Sequence, residues 1–471
     1  LMENAALKVI KNIDFQKFKS FTIVCGTGNN GGDGLAVARQ LFSMNMKIDV
    51  FIVGNHSMSK DCFANYNILK NIGIDIKHII TCEDMINLRE ALLENDMAID
   101  AIFGVGLTRK IEGIYEEVIK SINKSNSYIM AIDIPSGMKC DSFGILGTSI
   151  EANKTISFEV YKKGFLDYEG EKYIGTIIVE KIGVPEYVVN KFHHKEYLTE
   201  IGDVKNIIKK RNKCAHKGDF GRITIMAGSE NFTGAAYIST EAAVRSGAGL
   251  VTLCTKKSIL DILKSKLVEA MSMSYEDIAF EGVISNSDSI AIGPGMGNNE
   301  LTLKCVKNIL SKNGCPVVLD ADALNVLKGN LELLKNSKRK IIITPHMGEM
   351  SRLTGVDVES LIENRIGIAV NFAKEYKVIV LLKGYNTIIT DGNEVYVNST
   401  GNSKMASGGM GDTLTGIIAS FIGQGYEPFK ATIVSAYIHG YCGDILSKEM
   451  FCVNASHVIE KIPYVVEYLV K

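Results

Sequence analysis

Along the first 180 residues, short apolar runs rich in β-branched side chains alternate with stretches in which apolar residues return every three or four positions. The runs are "FTIVCG", "KIDVFIVG", "MAIDAIFG", "SYIMAID", "TISFEV" and "GTIIVEKIG". An apolar run of that length suits a strand covered on both faces, and its alternation with helical periodicity predicts parallel βαβ units. The pattern pauses between Pro185 and Lys213, where "NKFHHKEYLTE" and "KNIIKKRNK" carry charge without a clear strand, and restarts at "RITIMAG". A boundary near residue 195 follows, dividing the chain into domains 1–195 and 196–471. The second part repeats the logic with "GLVTLCT", "SIAIGPG", "PVVLDAD", "KIIITPH" and "VIVLLKG", adds a predicted hairpin at "NTIITDGNEVYVN", and closes on glycine-rich helical segments. No short-period repeat is present, so two α/β domains are predicted rather than a solenoid.

Composition acts mainly by exclusion. A chain of 471 residues accommodates two or three domains of roughly 150 residues each. Lys and Arg number 52 against 53 Asp and Glu, a formal net charge of −1, which removes the electrostatic argument for a dedicated nucleic-acid or membrane-surface binder. With 46% hydrophobic residues and only 7 Pro, the chain is neither disordered nor linker-rich. Ten cysteines scattered from Cys25 to Cys452 without a C-x-x-C pair describe neither a disulfide framework nor a zinc knuckle, so reduced thiols are expected. No apolar run approaches the ~18 residues of a transmembrane helix and no charged-then-apolar leader opens the chain, so a soluble cytoplasmic protein is expected. Leu1 rather than Met stands first, inside a helical pattern, and a longer natural start is expected.

In open α/β sheets, ligands bind beyond the carboxyl ends of the strands, so the residues after each apolar run are the ones to examine. Gly26, Gly28 and Gly31 satisfy G-x-G-x-x-G. Two features weaken a dinucleotide-dehydrogenase reading. The next strand ends in Gly54-Asn55 with no acidic ribose partner, and Asp33 stands where it would repel a pyrophosphate. The polar run Asn29-Asn30-Gly31-Gly32-Asp33 exceeds what a tight turn alone requires. Two further strand ends bring Asp100 with a second glycine loop, and Asp133 with Ser136. Each alone could be a cap or turn residue. Together, oxygen ligands without His or Cys suit a hard cation, and glycine-bounded amides suit an anionic ligand.

The motifs "MENAA", "GNNGGDG", "DAIFGVGL", "AIDIPSG" and "IGVP" together resemble the NAD(P)H-hydrate epimerase domain over most of residues 1–190. The resemblance implies a Rossmann-like doubly wound sheet. In it Asn29, Asn30, Gly31, Gly32 and Asp33, with Gly104, Val105, Gly106, Leu107, Thr108, Arg109 and Lys110, line the hydrated dinucleotide. It implies a potassium ion on Asn30, Asp100 and Ser136, and Asp133 as a catalytic contact near the reacting carbon. Lys163, in "YKKGF", is a further acid/base candidate. After "IPSG", the run "MKCDSFG" replaces the family's acidic, small-residue segment, so contacts from that loop do not carry over.

In the second part, "FTGAAYISTEAAVRSGAGLVT" is a helix of small residues that permits close backbone approach, either to a ligand or in helix-on-sheet packing. "AIGPGMG" sets a glycine loop at one strand end, "VVLDADALN" sets Asp320 and Asp322 at another, and "IIITPHMGEM" adds His346 and Glu349. H-x-x-E without a second His is not the zinc-protease pattern. The most informative segment is "GNSKMASGGMGDTLTGIIASFIGQG". Gly408, Gly409 and Gly411 precede an apolar helix whose amides and N-terminus form an anion hole, with Asp412 in the first turn. Asp412 could be a mere helix-terminal charge. A carboxylate beside an anion hole can also take a proton from a hydroxyl while the hole stabilises an arriving phosphoryl group.

That segment resembles the ribokinase-like α/β fold. "HKGDFG", "GAA", "GPGMG", "LDADALN", "TPHMGEM", "LLKGYNT" and "GGMGDTLTG", in order over residues 214–445, resemble the ADP- or ATP-dependent NAD(P)H-hydrate dehydratase. The resemblance implies that Ala235, Gly297, His346 and Asp412 contact the hydrate, with Asp412 as catalytic base. It places Lys383, Gly384, Tyr385, Asn386, Thr387 and Gly411 on the adenine nucleotide, and it implies ADP or ATP as phosphoryl donor with a nucleotide-bound magnesium ion. Met347 stands where the family often has Pro. Together the two resemblances imply repair of NADHX and NADPHX by a homo-oligomer with no nucleic-acid or membrane partner. One domain interconverts the two hydrate configurations, while the other phosphorylates the hydroxyl and eliminates it. The alternative is a ribokinase-like small-molecule kinase fused to a non-catalytic dinucleotide-binding module.

Overall fold

The apolar runs pair into two open sheets. In the computed structural model, which describes every residue except Tyr168, Leu1–His193 and His194–Lys471 form separate units. The first carries β1 (Ser20–Cys25), β2 (Lys47–Val53), β3 (Ile76–Ile79), β4 (Met97–Ala101), β5 (Tyr128–Ile132), β6 (Lys154–Phe158) and β7 (Thr176–Glu180). Their order is β3-β2-β1-β4-β5-β6-β7 and every pair is parallel. All residues of β1 and β4 are buried, because helices cover both faces. Ile23 and Cys25 pack with Leu35 and Ala38 of the 29–43 helix. Val24, pointing the other way, packs with Leu88 of the 85–94 helix and Val118 of the 114–123 helix.

The second unit carries β8 (Glu196–Leu198), β9 (Arg222–Met226), β10 (Leu250–Thr255), β11 (Met271–Ser274), β12 (Ser289–Ile292), β13 (Val317–Leu319), β14 (Ile341–Ile343), β15 (Ile379–Leu382), β16 (Thr387–Thr390) and β17 (Val395–Asn398). Their order is β11-β10-β9-β12-β13-β14-β15-β16-β17-β8, antiparallel only at β15/β16 and β16/β17. The expected hairpin is β16–β17. Its turn is closed by Asp391, whose Oδ1 accepts from the amides of Asn393 (2.8 Å) and Glu394 (3.0 Å). β8 lies in the stretch that showed no strand pattern. Three residues carry no period, and this strand exists through its pairing with distant β17.

In both sheets the chain winds outward in one direction, then returns to the middle and winds in the other. The reversal falls between β1 and β4 in the first unit and between β9 and β12 in the second. Each reversal opens a crevice at the carboxyl ends of the strands. Beside the second crevice runs the 410–423 helix, buried at every residue from Thr413 to Gly423. It packs on the small-residue helix 233–245 so closely that a Cβ on Gly416 would lie 2.2 Å from the Ser239 carbonyl oxygen. Gly416→Val should therefore destabilise the chain by about 2 kcal/mol. Gly202→Ala, in a helix with open space around it, should be neutral or stabilising by up to about 1 kcal/mol. Urea denaturation of the two variants checks the contrast.

Candidate active sites

At the first crevice, two glycines let backbone meet backbone. A Cβ on Gly26 would fall 2.1 Å from the Ile102 carbonyl oxygen, and one on Gly31 would fall 1.8 Å from that of Gly26. The 29–43 helix can therefore start directly at the strand tip, with Asn29 through Asp33 in its opening turns. A cavity of about 530 Å³ opens there, lined by Asn29, Asn30, Asp33, Gly104, Val105, Gly106, Leu107, Thr108, Arg109 and Asp133. Gly31 and Gly32 stand behind this wall, packed on Gly26 and on Met2 and Cys62. Lys110 is exposed, its ammonium 3.3 Å from Glu112. His56 and Tyr115 also line the cavity, and sequence reasoning missed both. The signal for Tyr115 was Gly54, where a Cβ would fall 2.0 Å from the tyrosine hydroxyl.

Asp100, next to last in β4, has no exposed surface. Its carboxylate accepts from the Ser136 hydroxyl (2.6 Å), the Ser136 amide (2.8 Å) and the Ile102 amide (3.2 Å), yet burial still pushes it up to about 6. The Ser136 hydroxyl is also 3.2 Å from the Phe103 carbonyl oxygen. Nearby, the side chain of Asn30 lies against Gly104, and its Nδ2 is buried without a hydrogen-bond partner. A carboxylate whose partners are all neutral, a hydroxyl and a carbonyl thus collect at one point, with the Asn30 side chain against the neighbouring glycine loop.

Asp133 holds a left-handed backbone conformation (φ 66°), rare for a non-glycine residue. Its Oδ1 accepts from the Phe158 amide at 3.1 Å and lies 3.0 Å from Lys162 Nζ, which also donates to the Phe158 carbonyl at 2.8 Å. The lysine facing Asp133 is therefore Lys162, whereas Lys163 opens the short 163–166 turn. Adjacent lysines in "YKKGF" cannot be told apart until the chain direction after β6 is known. Burial and then the charge of Asp133 push Asp33 up to about 7.

At the second crevice, Gly295 (φ 63°) lets its loop press on Phe232 and Ala235, and its carbonyl accepts from Ser229 Oγ at 2.7 Å. The Gly297 amide donates to Asp322 Oδ2 at 2.7 Å. Opposite, Gly409 in a left-handed conformation (φ 88°) turns the chain into the 410–423 helix. A Cβ on Gly411 would lie 3.3 Å from Lys383 Nζ. Asp412 is half-buried and is pushed up to about 6 by that burial, with Asp320 and Asp322 adding to the rise against the lowering influence of Lys383.

His346 and Glu349 cap the 347–354 helix reciprocally: His346 Nδ1 accepts from the Gly348 (3.0 Å) and Glu349 (3.3 Å) amides, and Glu349 Oε2 accepts from the His346 amide (2.9 Å). The H-x-x-E spacing is thus a helix cap, not half of a metal site. His346 also bridges to Lys383 across adjacent strand ends. Gly384 and Asn386 (φ 157° and 55°) form the turn into β16, leaving Tyr385 exposed, with Thr387 Oγ1 donating to the Gly384 carbonyl at 2.9 Å. A Cβ on Gly384 would lie 3.6 Å from Met347 Cε, an ordinary contact, so methionine is accommodated where the family often has Pro. His439 was not foreseen; burial holds its imidazole down to about 4, beside the Met410 carbonyl. Among the described residues, no three His, Cys, Asp or Glu side chains form a metal cluster, and no helix is long and apolar enough to cross a membrane.

Residues 223–464 match the NAD(P)H-hydrate dehydratase family model, and residues 1–164 match that of the YjeF-related protein N-terminus. A bifunctional NAD(P)H-hydrate repair enzyme of Moorella thermoacetica is 35% identical, covering 100% of this chain and 92% of its own. This chain belongs to the bifunctional NAD(P)H-hydrate repair enzyme family. A member from Dictyoglomus turgidum is 34% identical over 100% of this chain and 94% of its own. Among solved structures, an ADP/ATP-dependent NAD(P)H-hydrate dehydratase of Bacillus subtilis, co-crystallised with ATP and Mg²⁺, is 30% identical (TM-score 0.52). It covers 58% of this chain and 98% of its own. A ribokinase-like superfamily protein of Enterococcus faecalis is 26% identical (TM-score 0.55), covering 59% and 98%. The second unit of this family member therefore has the ribokinase-like α/β fold expected of it.

Folding tests the electrostatics of the first site. The Asp33 carboxyl titrates near 7 when folded against a reference value of 3.8, so between those values the folded chain holds a proton the unfolded chain has lost. Stability falls as pH rises through that window. Asp33→Asn should be more stable than wild type at pH 8 by about 2–4 kcal/mol, with the advantage vanishing towards pH 4. Urea denaturation at both pH values reads the difference.

Proposed function

We propose that the chain returns hydrated NADH and NADPH to the reduced cofactors by two reactions, one at each crevice. The observation that carries this reading is Asp412, a half-buried carboxyl in the first turn of a helix whose glycine-rich N-terminus is an anion hole with Lys383 beside it. The hydrate's hydroxyl meets Asp412 while Ala235, Gly297 and His346 hold the rest of the ring. The nucleotide lies along Lys383, Gly384, Tyr385, Asn386, Thr387 and Gly411, its terminal phosphoryl group at the helix N-terminus. Asp412, titrating near 6, is ionised at neutral pH and takes the hydroxyl proton as that oxygen attacks phosphorus and the donor's own bridging bond breaks. The phosphate ester then leaves with the carbon–oxygen electron pair as the neighbouring carbon loses a proton, and the ring double bond returns.

Magnesium, when bound, neutralises phosphate charge. With Asp320 held by Lys383, Thr344 and Thr415, and Asp322 by the Gly297 amide, the ion would be carried by the nucleotide's phosphates. In the first unit, Asn30, Asp100 and Ser136 would hold a potassium ion. The buried Asp100 carboxylate with only neutral partners, the Ser136 hydroxyl and the Phe103 carbonyl are oxygen donors that fit a weakly hydrated monovalent cation, which Asn30 would join through its Oδ1. The cavity beside it takes the hydrate along Asn29 to Asp33 and Gly104 to Arg109. There Asp33, titrating near 7, protonates the departing hydroxyl, and Asp133, held by Lys162, takes the proton of the water that re-adds on the other face. We place the activity in the cytoplasm, which suits the free cysteines among the described residues.

Asp412→Asn should lower the ATP- or ADP-dependent recovery of reduced-ring absorbance from NADHX by about 10²–10⁴-fold. The same recovery in wild type should climb with pH through about 6. Asp133→Ala should leave that reaction intact and stop consumption of the epimer the dehydratase rejects. A stable phosphorylated hydrate accumulating in wild type would instead mark a kinase.

A further inference from the structure

We infer that the strand-tip segment Asp320-Ala321-Asp322 is the brace of the dehydratase site, with Asp320 positioning the phosphoryl-transfer half and Asp322 positioning the substrate half. Asp320 follows β13 and is 1% exposed. Its Oδ1 accepts from Lys383 Nζ and from Thr344 Oγ1, both at 2.8 Å, and its Oδ2 accepts from Thr415 Oγ1 at 2.8 Å. Thr344 follows β14, Lys383 follows β15, and Thr415 stands on the 410–423 helix three residues after Asp412. Positions three apart share a helix face. One carboxylate therefore ties the helix bearing Asp412 to the lysine that lies against Gly411.

Asp322 serves the other half. Its Oδ2 accepts from the Gly297 amide at 2.7 Å and its Oδ1 from Asn325 Nδ2 at 3.2 Å, so it fixes the loop in which Gly295 presses on Ala235. Between the two carboxylates, Ala321 is held at φ 47°, ψ −116°. Such a backbone costs about 1–3 kcal/mol for a non-glycine residue and persists only where its surroundings over-determine it. Here they do: the Asp320 amide donates to the Ile292 carbonyl at 3.1 Å, and a Cβ on Gly293 would fall 1.8 Å from the Asp320 carbonyl oxygen.

A purely stabilising role explains less. A buried ion pair is often no better for stability than apolar residues of the same volume, and the strained alanine adds to the deficit. Both features make sense if the segment exists to place groups. Asp320 also bears on the charge of the site: Asp412 is faced by Asp320, Asp322 and Lys383, while Lys383 is faced in turn by Asp320, Glu349 and Asp412, with His346 and His439 close by. Removing the Asp320 charge lowers the Asp412 titration, so the acid limb of the rate profile moves to lower pH.

The inference rests on the dehydratase reading, so its test pairs turnover with binding. Asp320→Asn should lower kcat for dehydration at least tenfold with the KM for NADHX within threefold, and shift the acid limb downward. Thr415→Val, which removes one hydrogen bond and no charge, should lower kcat at least threefold without moving the limb, and it carries the test if Asp320→Asn does not fold. Asp322→Asn should weaken NADHX binding at least tenfold by calorimetry while ATP binding stays within twofold. Wild-type kcat in both Asp320→Asn and Thr415→Val, or unchanged NADHX binding in Asp322→Asn, would overturn the brace. A wild-type chain that binds ATP and the hydrate but returns no reduced cofactor would overturn the functional reading instead, and the binding arm would still judge Asp322.

Discussion

Desolvation of carboxylates at the mouths of two open sheets is the constraint on which the proposed chemistry depends. A sheet covered by helices on both faces opens a crevice where its winding reverses, and a side chain at a central strand tip or in the opening turns of the helix beside it is partly withdrawn from water. Asp33, Asp100 and Asp412 all have burial as the largest influence raising their titration, to about 7, 6 and 6. What differs is the partner. Asp33 lies near a second carboxylate, Asp100 has a hydroxyl and amides, and Asp412 has a lysine against two further carboxylates. On one physical effect, differently compensated, rest the proposed roles of proton donor near neutrality, cation cradle and base.

Glycine serves different ends at the two crevices. At the first, Gly26 and Gly31 allow strand tip and helix start to touch, so the polar run Asn29 to Asp33 lies at the cavity. At the second, Gly409 supplies a left-handed turn into the buried helix, whose N-terminal amides suit an anion, while Gly416 admits the neighbouring helix. In the G-x-G-x-x-G of the first unit, Gly26 and Gly31 thus serve packing while Gly28 opens on the cavity, in agreement with the missing acidic ribose partner after β2.

What could be read from the chain was local. The alternation of runs marked the core strands, the hairpin at Asp391-Gly392 carried its own turn chemistry, and the glycine loops stood out at strand ends. What could not be read was long-range. β8 depends on β17, the choice of Lys162 over Lys163 depends on the path after β6, and the role of Asp320 depends on partners from two other strand ends and a helix. His346 and Glu349 show the converse: a spacing set aside as a zinc pattern has its local structural explanation in the helix cap, and His346 stands beside Lys383.

The central claim is that the hydroxyl leaves as a phosphate ester formed at Asp412, and the fate of its oxygen decides it. NADHX prepared by hydration in ¹⁸O-labelled water carries the label in that hydroxyl, and the inorganic phosphate released with ATP by the Asp133→Ala chain, whose first site no longer exchanges that oxygen with water, can be analysed by mass spectrometry. The account predicts one ¹⁸O atom in each phosphate formed; label appearing in water, with unlabelled phosphate, would contradict it.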